Sequence, residues 1–258
     1  MNSPFFGLFM REVRRYLKVP YQTLCTPLIN SLLYLFIFGL SLGRDISLPG
    51  YSSYLLFLIP GLIMMASLKN AFENAASSCL SSKYCNELVD LRVVPLTLPN
   101  IAFAKSLAAL SRGLIVATLT FGVSFCIAWG SQGVILTIQH PLIFIYFIIT
   151  SGLSFGALGL AVGMWAKNFD AFNAIGSFIL TPLIYLGGVF FSLEALHPFW
   201  QTVSRFNPIL YMINGVRYGL VGRSDVDITH AIVYSFACLI FFYACAFLNL
   251  RKGVNYHW

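Results

Sequence analysis

Apolar residues run through this chain in long blocks separated by short polar stretches. Neither the strict alternation of a half-buried strand nor the polar face of a soluble helix recurs along it. The blocks over 19–42, 51–72, 101–129, 141–165, 171–191 and 229–250 lie near the ~20 residues that an α-helix needs to cross a bilayer core. Six membrane spans are therefore predicted, in an all-α membrane protein. Ahead of them, Phe5, Phe9, Val13 and Leu17 recur at helical spacing, and Arg11, Arg14, Arg15 and Lys18 lie largely off that line. That pattern predicts an amphipathic helix over residues 1–18, lying in the headgroup plane. The apolar run that follows is too long for a signal-peptide core and ends without a small-residue cleavage site, so the helix is expected to be retained.

Two connections break the pattern. Between the second and third spans, residues 80–99 include "NELVDLRVVPLTLPN". Asn86 to Val94 can form a short helix stopped by Pro95, polar at Glu87, Asp90 and Arg92 and apolar at Leu88, Val89, Leu91 and Val93. It reads either as a solvated interfacial helix or as a docking helix for a cytoplasmic partner, with Glu87 and Arg92 at its rim. The second break spans 190–222. Gly187 and Gly188 weaken the end of the fifth span, since glycine gives up ~1 kcal/mol of helix propensity relative to alanine. Glu194, His197, Arg205 and Arg217 then alternate with Phe199, Trp200, Phe206 and Tyr211. A full crossing would bury charge at ~2.5–3.5 kcal/mol per ionised group, whereas the aromatics favour the interface. The expected solution is a re-entrant pair of short helices turning near Pro198 and Asn207-Pro208, an outer gate that includes Gly187, Gly188, Glu194, Phe199, Trp200, Asn207 and Pro208.

Composition agrees with a lipid solvent. Of 258 residues, 58% are hydrophobic and 10% charged, against about 25% charged in soluble domains, and mean hydropathy is +0.79. The net charge of +7 follows from the excess of basic residues at cytoplasmic membrane edges rather than from nucleic-acid binding. With the amino terminus inside, ten basic residues fall on the cytoplasmic side (Arg11, Arg14, Arg15, Lys18, Lys83, Arg92, Lys105, Lys167, Arg251, Lys252) and four outside (Arg44, Arg205, Arg217, Arg223). Both termini are expected in the cytoplasm, and the broken segment outside. Lys69 and Arg112 fall near the inner ends of their predicted spans.

The sequence carries little chemistry of its own. There is no glycine-rich phosphate loop, no serine-nucleophile elbow and no zinc-binding helix motif. Four single histidines and six scattered cysteines form no metal or disulfide pattern. Lys69 and Glu73, four residues apart, can face each other on one helix as a structural pair or as a gate. Gly152, Gly156, Gly159 and Gly163 line one face of the fourth span, for packing within the subunit or between subunits.

"NELVDLRVVPLTLPN", "FLIPGLIMM" and "LTPLIYLGGVFFSLEALHPFW…FNPILYMINGVRYGLVG" resemble the ABC-2 superfamily of ABC transporter permeases, nearest the bacterial branch exporting nodulation factors and drugs. The resemblance covers the whole chain and implies one transmembrane domain over 1–258 in a bacterial inner membrane. It implies a homodimeric permease carrying two copies of a separate ABC ATPase, which would bind the ATP and Mg that this chain does not. The product would be export of an amphipathic lipid, glycolipid or drug-like molecule. By the same likeness, the loop after the second span is the coupling helix (Glu87, Asp90, Arg92, Pro95), and the first and fifth spans line the path. Their polar or small residues Asn30, Ser31, Asn173, Ser177, Thr181 and Tyr185 are the pathway candidates. The likeness also implies the re-entrant hairpin. Two other readings use the same features: a non-transporting scaffold or sensor regulated by an ABC ATPase, and an ion-coupled carrier. The substrate is not legible.

Overall fold

A computed structural model describes residues 4–44, 46, 51–85, 87 and 95–255. Among these residues every regular element is helical. Helix α1 (Pro4–Leu17) precedes six helices long and apolar enough to cross a membrane: α2 (Thr23–Ser41), α3 (Tyr54–Tyr84), α4 (Leu98–Gln132), α5 (Pro141–Trp165), α6 (Phe169–Leu186) and, last in the chain, α9 (Ile228–Asn255). Two short helices, α7 (Pro198–Arg205) and α8 (Pro208–Val221), stand between α6 and α9.

Helix α3 is the post on which the rest is hung. In its most apolar stretch 89% of residues are buried, against 22% in α2, 17% in α6 and 22% in α9. Those three therefore leave broad apolar faces outward, such as Ile29, Leu33 and Phe36 on α2 and Phe178 and Ile179 on α6. The glycine face of α5 explains the tight centre. A Cβ on Gly156 would sit 3.1 Å from Ala109, and one on Gly163 would sit 2.7 Å from the Ala76 carbonyl oxygen. Gly152 meets Leu110, and Gly159 meets the backbone of Phe72. Of the two readings of that stripe, packing inside the subunit holds: it seats α5 on α3 and α4.

Three helix ends differ from the sequence expectation. Helix α3 continues past residue 72 to Tyr84, and α4 starts at Leu98, so Lys69 and Arg112 lie near mid-helix rather than at inner ends. With 31 and 35 residues, at 1.5 Å per residue, the two helices are roughly 46 and 52 Å long, well beyond a ~30 Å hydrocarbon core. The extension of α3, "ENAASSCLSSKY", is too polar to read as a span, but its small residues let α5 pack closely and its polar ones bond to Glu12 and Arg15 of α1. Helix α6 ends at Leu186 instead of 191, because Gly188 adopts φ +82°, a left-handed conformation that stops a helix.

Both short helices open on proline, as the turn positions at Pro198 and Asn207-Pro208 require. Asn207 caps α8, its Oδ1 accepting from Ile209 N at 3.1 Å, and its Nδ2 donates to the Leu183 carbonyl at 2.6 Å. Helix α8 is buried along almost its whole length, whereas only Ser204 is buried in α7. At 14 residues, α8 is roughly 21 Å long, too short to cross a bilayer alone.

Candidate functional site

Helices α2 and α6 are built alike where they face the interior. Each carries the tetrapeptide Thr-Pro-Leu-Ile (Thr26–Ile29 and Thr181–Ile184) directly after a π-helical stretch, Tyr21–Cys25 in α2 and Gly176–Leu180 in α6. Proline lacks an N–H and collides with the carbonyl one turn back. A wider π turn accommodates it, and such turns recur at functional sites. Thr181 Oγ1 takes up one loosened carbonyl, that of Gly176, at 3.0 Å. The repeated tetrapeptide was a signal in the sequence that periodicity alone passed over.

Between these helices, α3 and α4 lies a cavity of about 190 Å³. Four of the six predicted pathway residues line it: Asn30, Ser31, Thr181 and Tyr185. Asn173 and Ser177 are exposed on α6 and do not; they lie on turns of that helix that face outward. From α3 and α4 the wall takes Lys69 and Glu73, offered by the sequence as a structural pair or a gate, together with Asn70 and Arg112, which sequence reading did not place on the path. Lys69 and Glu73 do share a face, but no ion pair within 4 Å joins Glu73 to Lys69 or Arg112. Arg112 Nε and Asn70 Oδ1 are buried without a hydrogen-bond partner. Ser31 is tied to Thr120 of α4 at 3.3 Å.

One end of the cavity is closed by aromatics. The Tyr34 and Tyr185 hydroxyls meet at 2.9 Å. Phe190 lies over both rings with centroids 5.4 Å away, and 4.8 Å from that of Phe38. Phe190 hangs from the Gly187-Gly188 break. That break is held by Arg217 of α8, whose side chain is fully buried, with Nη2 donating to the Gly188 carbonyl at 2.6 Å and Nη1 to Asn214 Oδ1 at 3.0 Å. The Arg217 guanidinium sits 3.8 Å over the Phe57 ring and 3.9 Å from Asp225. Asp225 in turn accepts from Ser192 and from Leu193 N, each at 3.0 Å. Of the predicted gate residues, Gly187, Gly188, Asn207 and Pro208 belong to this framework. Glu194, Phe199 and Trp200 are exposed away from the cavity.

The other end abuts α1, through Tyr16 Oη and Ser111 Oγ at 3.0 Å, next to Arg112. Here Leu8, Glu12 and Tyr16 form the buried face of α1, not the line of Phe5, Phe9, Val13 and Leu17. A carboxylate can lead that face because its charge is matched. Glu12 Oε1 lies 3.1 Å from Lys105 Nζ, and its Oε2 lies 3.2 Å from Arg15 Nε and accepts from Ser78 at 2.6 Å. Burial pushes the Glu12 carboxyl up, but Lys105, the Ser78 hydroxyl and Arg15 together outweigh it and hold the group down at about 2. Lys105 also donates to Ser78 at 2.8 Å and Ser82 at 3.2 Å, and Arg15 to Asn74 at 2.9 Å. The cluster reaches the connection between α3 and α4 at Glu87, which accepts from Ser82 at 3.1 Å and pairs with Arg11 at 3.4 Å. Of the other predicted coupling residues, Pro95 is exposed just before α4, and Asp90 and Arg92 lie outside the described residues.

The sequence profile of the ABC-2 type transporter family matches residues 4–221. The inner membrane transport permease YadH of Escherichia coli is 35% identical over 249 residues, covering 96% of this chain and 94% of that protein. Nodulation protein J of Rhizobium leguminosarum bv. trifolii is 26% identical over 258 residues, with 96% and 93% covered, and that of Neorhizobium galegae 25% identical over 257 residues, with 95% and 92% covered. With six candidate spans and a profile match over most of its length, the chain belongs to the ABC-2 type transporter family, as a multi-pass inner-membrane permease subunit that has no ATPase activity of its own and works with an ATPase partner.

Proposed function

We propose that this permease is an exporter subunit, paired with a second copy of itself and with two ABC ATPases that bind ATP and Mg, and that it moves an amphipathic molecule out of the cytoplasm or inner leaflet. The observation that carries the reading is the cavity between α2, α3, α4 and α6. It gathers charged and polar side chains in a chain of mean hydropathy +0.79, it draws residues from both helices expected to line a path, and an aromatic cluster closes one end. The exposed apolar faces of α2 and α6 are the surfaces a second copy would cover. On the cytoplasmic side, α1 lies along the membrane surface, and the connection holding Glu87, Asp90, Arg92 and Pro95 receives the ATPase. On the outer side, α7 and α8 enter the membrane and return, and Arg217 keeps the aromatic closure in register. Both termini then face the cytoplasm, and residues 1–258 act as one transmembrane domain. Movement of the coupling connection reaches α1 through Glu87 and Arg11, and reaches the cavity through Tyr16 and Ser111.

The test is nucleotide-dependent access. Single cysteines replacing Asn30, Thr181 or Tyr185 should change their maleimide labelling rate at least several-fold when the ATPase complex, reconstituted in vesicles, is trapped with ATP and vanadate. A cysteine at exposed Trp200 should not change. Cavity cysteines indifferent to nucleotide would rule out this pathway.

A further inference from the structure

The cavity is not neutral ground. Among its lining residues are two cations, Lys69 and Arg112, and one carboxylate, Glu73. Ionisable groups within membrane spans are costly and mark ligand or ion sites, and here the cations are in excess. Neither cation lies within 4 Å of Glu73, and two buried polar atoms, Arg112 Nε and Asn70 Oδ1, are without hydrogen-bond partners. Buried donors and acceptors in folded proteins are nearly always satisfied. A wall offering an unmatched guanidinium N–H, a lysine ammonium and an unmatched amide oxygen complements an anionic oxygen group that carries a hydroxyl or amine beside it. At about 190 Å³ the space is smaller than the ~300–1,000 Å³ of clefts that enclose a drug-sized ligand. It holds a headgroup, not a whole amphiphile. An apolar tail has a path into the seam with the second copy, because Ile29, Leu33 and Phe36 of α2 and Phe178 and Ile179 of α6 form the apolar outer faces of the two helices that wall the cavity.

We infer that the cavity is a binding site for a phosphate-bearing anionic group, with Lys69 and Arg112 as its cationic clamp, Asn70 taking a neighbouring donor, and Glu73 limiting how much negative charge is accepted. This deepens the pathway reading above and rests on it. The charge balance gives each residue a separate expected effect: removing a cation weakens binding, while neutralising Glu73 strengthens it. A purely structural triad would lose stability with any of the three changes.

The experiment is native mass spectrometry of the purified full-length chain with phosphatidylglycerol, and with diacylglycerol of the same acyl chains at equal mole fraction. Wild type should retain the anionic lipid at least tenfold over the neutral one. Lys69→Gln and Arg112→Gln should each cut that preference about tenfold, and Glu73→Gln should raise it a few-fold. Arg14→Gln with Lys18→Gln, on the exposed face of α1, should leave it unchanged. Competition with inorganic phosphate separates the sources. Resistance at millimolar phosphate assigns the site to a headgroup, and complete displacement supports the anion clamp but assigns it to a free phosphate. Equal retention of the two lipids, or a preference untouched by Lys69→Gln and Arg112→Gln, overturns the inference. If the nucleotide-dependent labelling at Asn30 and Thr181 persists in that case, only the ligand class is wrong. If labelling fails as well, the pathway itself falls.

Discussion

Glu12 shows how much one residue can organise. It is a carboxylate at 2% exposure, in a helix whose Arg11 and Arg14 face outward, and it is held by a lysine equally buried and a serine hydroxyl. Removing one member of a buried ion pair costs about 3–5 kcal/mol, because the other charge stays buried alone. Glu12→Gln should therefore lower stability by that order in a denaturant titration of the detergent-solubilised chain. Replacing Glu12 and Lys105 together by apolar residues should cost far less than the sum of the single changes. The pH dependence has a fixed sign. The folded carboxyl sits at about 2, below its ordinary 4.5. The stabilisation, about 3 kcal/mol from the size of that shift, is complete above 4.5 and is lost as the pH falls through about 2. The gap between wild type and Glu12→Gln should narrow over that window, and a gap that is constant with pH would show that Glu12 acts by shape alone. No periodicity argument finds this residue. A glutamate among arginines reads as part of a solvated basic face, and only the partner on α4 makes burial affordable.

At the scale of the element, fit decides more than propensity. Gly159 packs its Cα against the backbone of Phe72, and Gly122 has open space around it. Gly159→Ala should cost about 1–3 kcal/mol through overpacking, and Gly122→Ala should be neutral or slightly stabilising through helix propensity. Thermal unfolding of the two variants separates these outcomes, and equal shifts would contradict the α5–α3 contact. The glycine spacing was readable in the sequence, but the identity of the neighbouring helix was not, since a small-residue face fits any partner that approaches closely. Helix ends were legible where a residue type enforces them. Gly187-Gly188 and Asn207-Pro208 announce their breaks. The extension of α3 through Glu73–Tyr84 escaped because hydropathy measures lipid preference, and this segment is helical through contacts with protein.

For the whole molecule, apolar block length was enough to count six spans, whereas the Thr-Pro-Leu-Ile repeat shared by the two that wall the cavity went unread. The charged side of that cavity was not legible: Lys69, Glu73 and Arg112 looked like edge residues until two helices proved longer than a bilayer requires. The proposed outer hairpin carries the remaining prediction. Single cysteines placed from Glu194 to Arg217 and treated with a membrane-impermeant thiol reagent from outside should label at the outer edge of the hairpin, near Glu194. They should be protected through α8, where Leu210, Ile213 and Val216 are buried. Uniform outside labelling would leave an ordinary surface loop, and labelling from the cytoplasm would reverse the orientation.

The Glu12–Lys105 pair also sets an order in time. The two residues are 93 apart, so at ~5–20 residues per second of synthesis Glu12 precedes its partner by roughly 5–20 s. Through that interval α1 has no cation on α4 to receive its carboxylate, and it stays at the surface while α2 and α3 are inserted. The helix made first is thus seated only after two spans have gone in, and its docking records that the third has arrived.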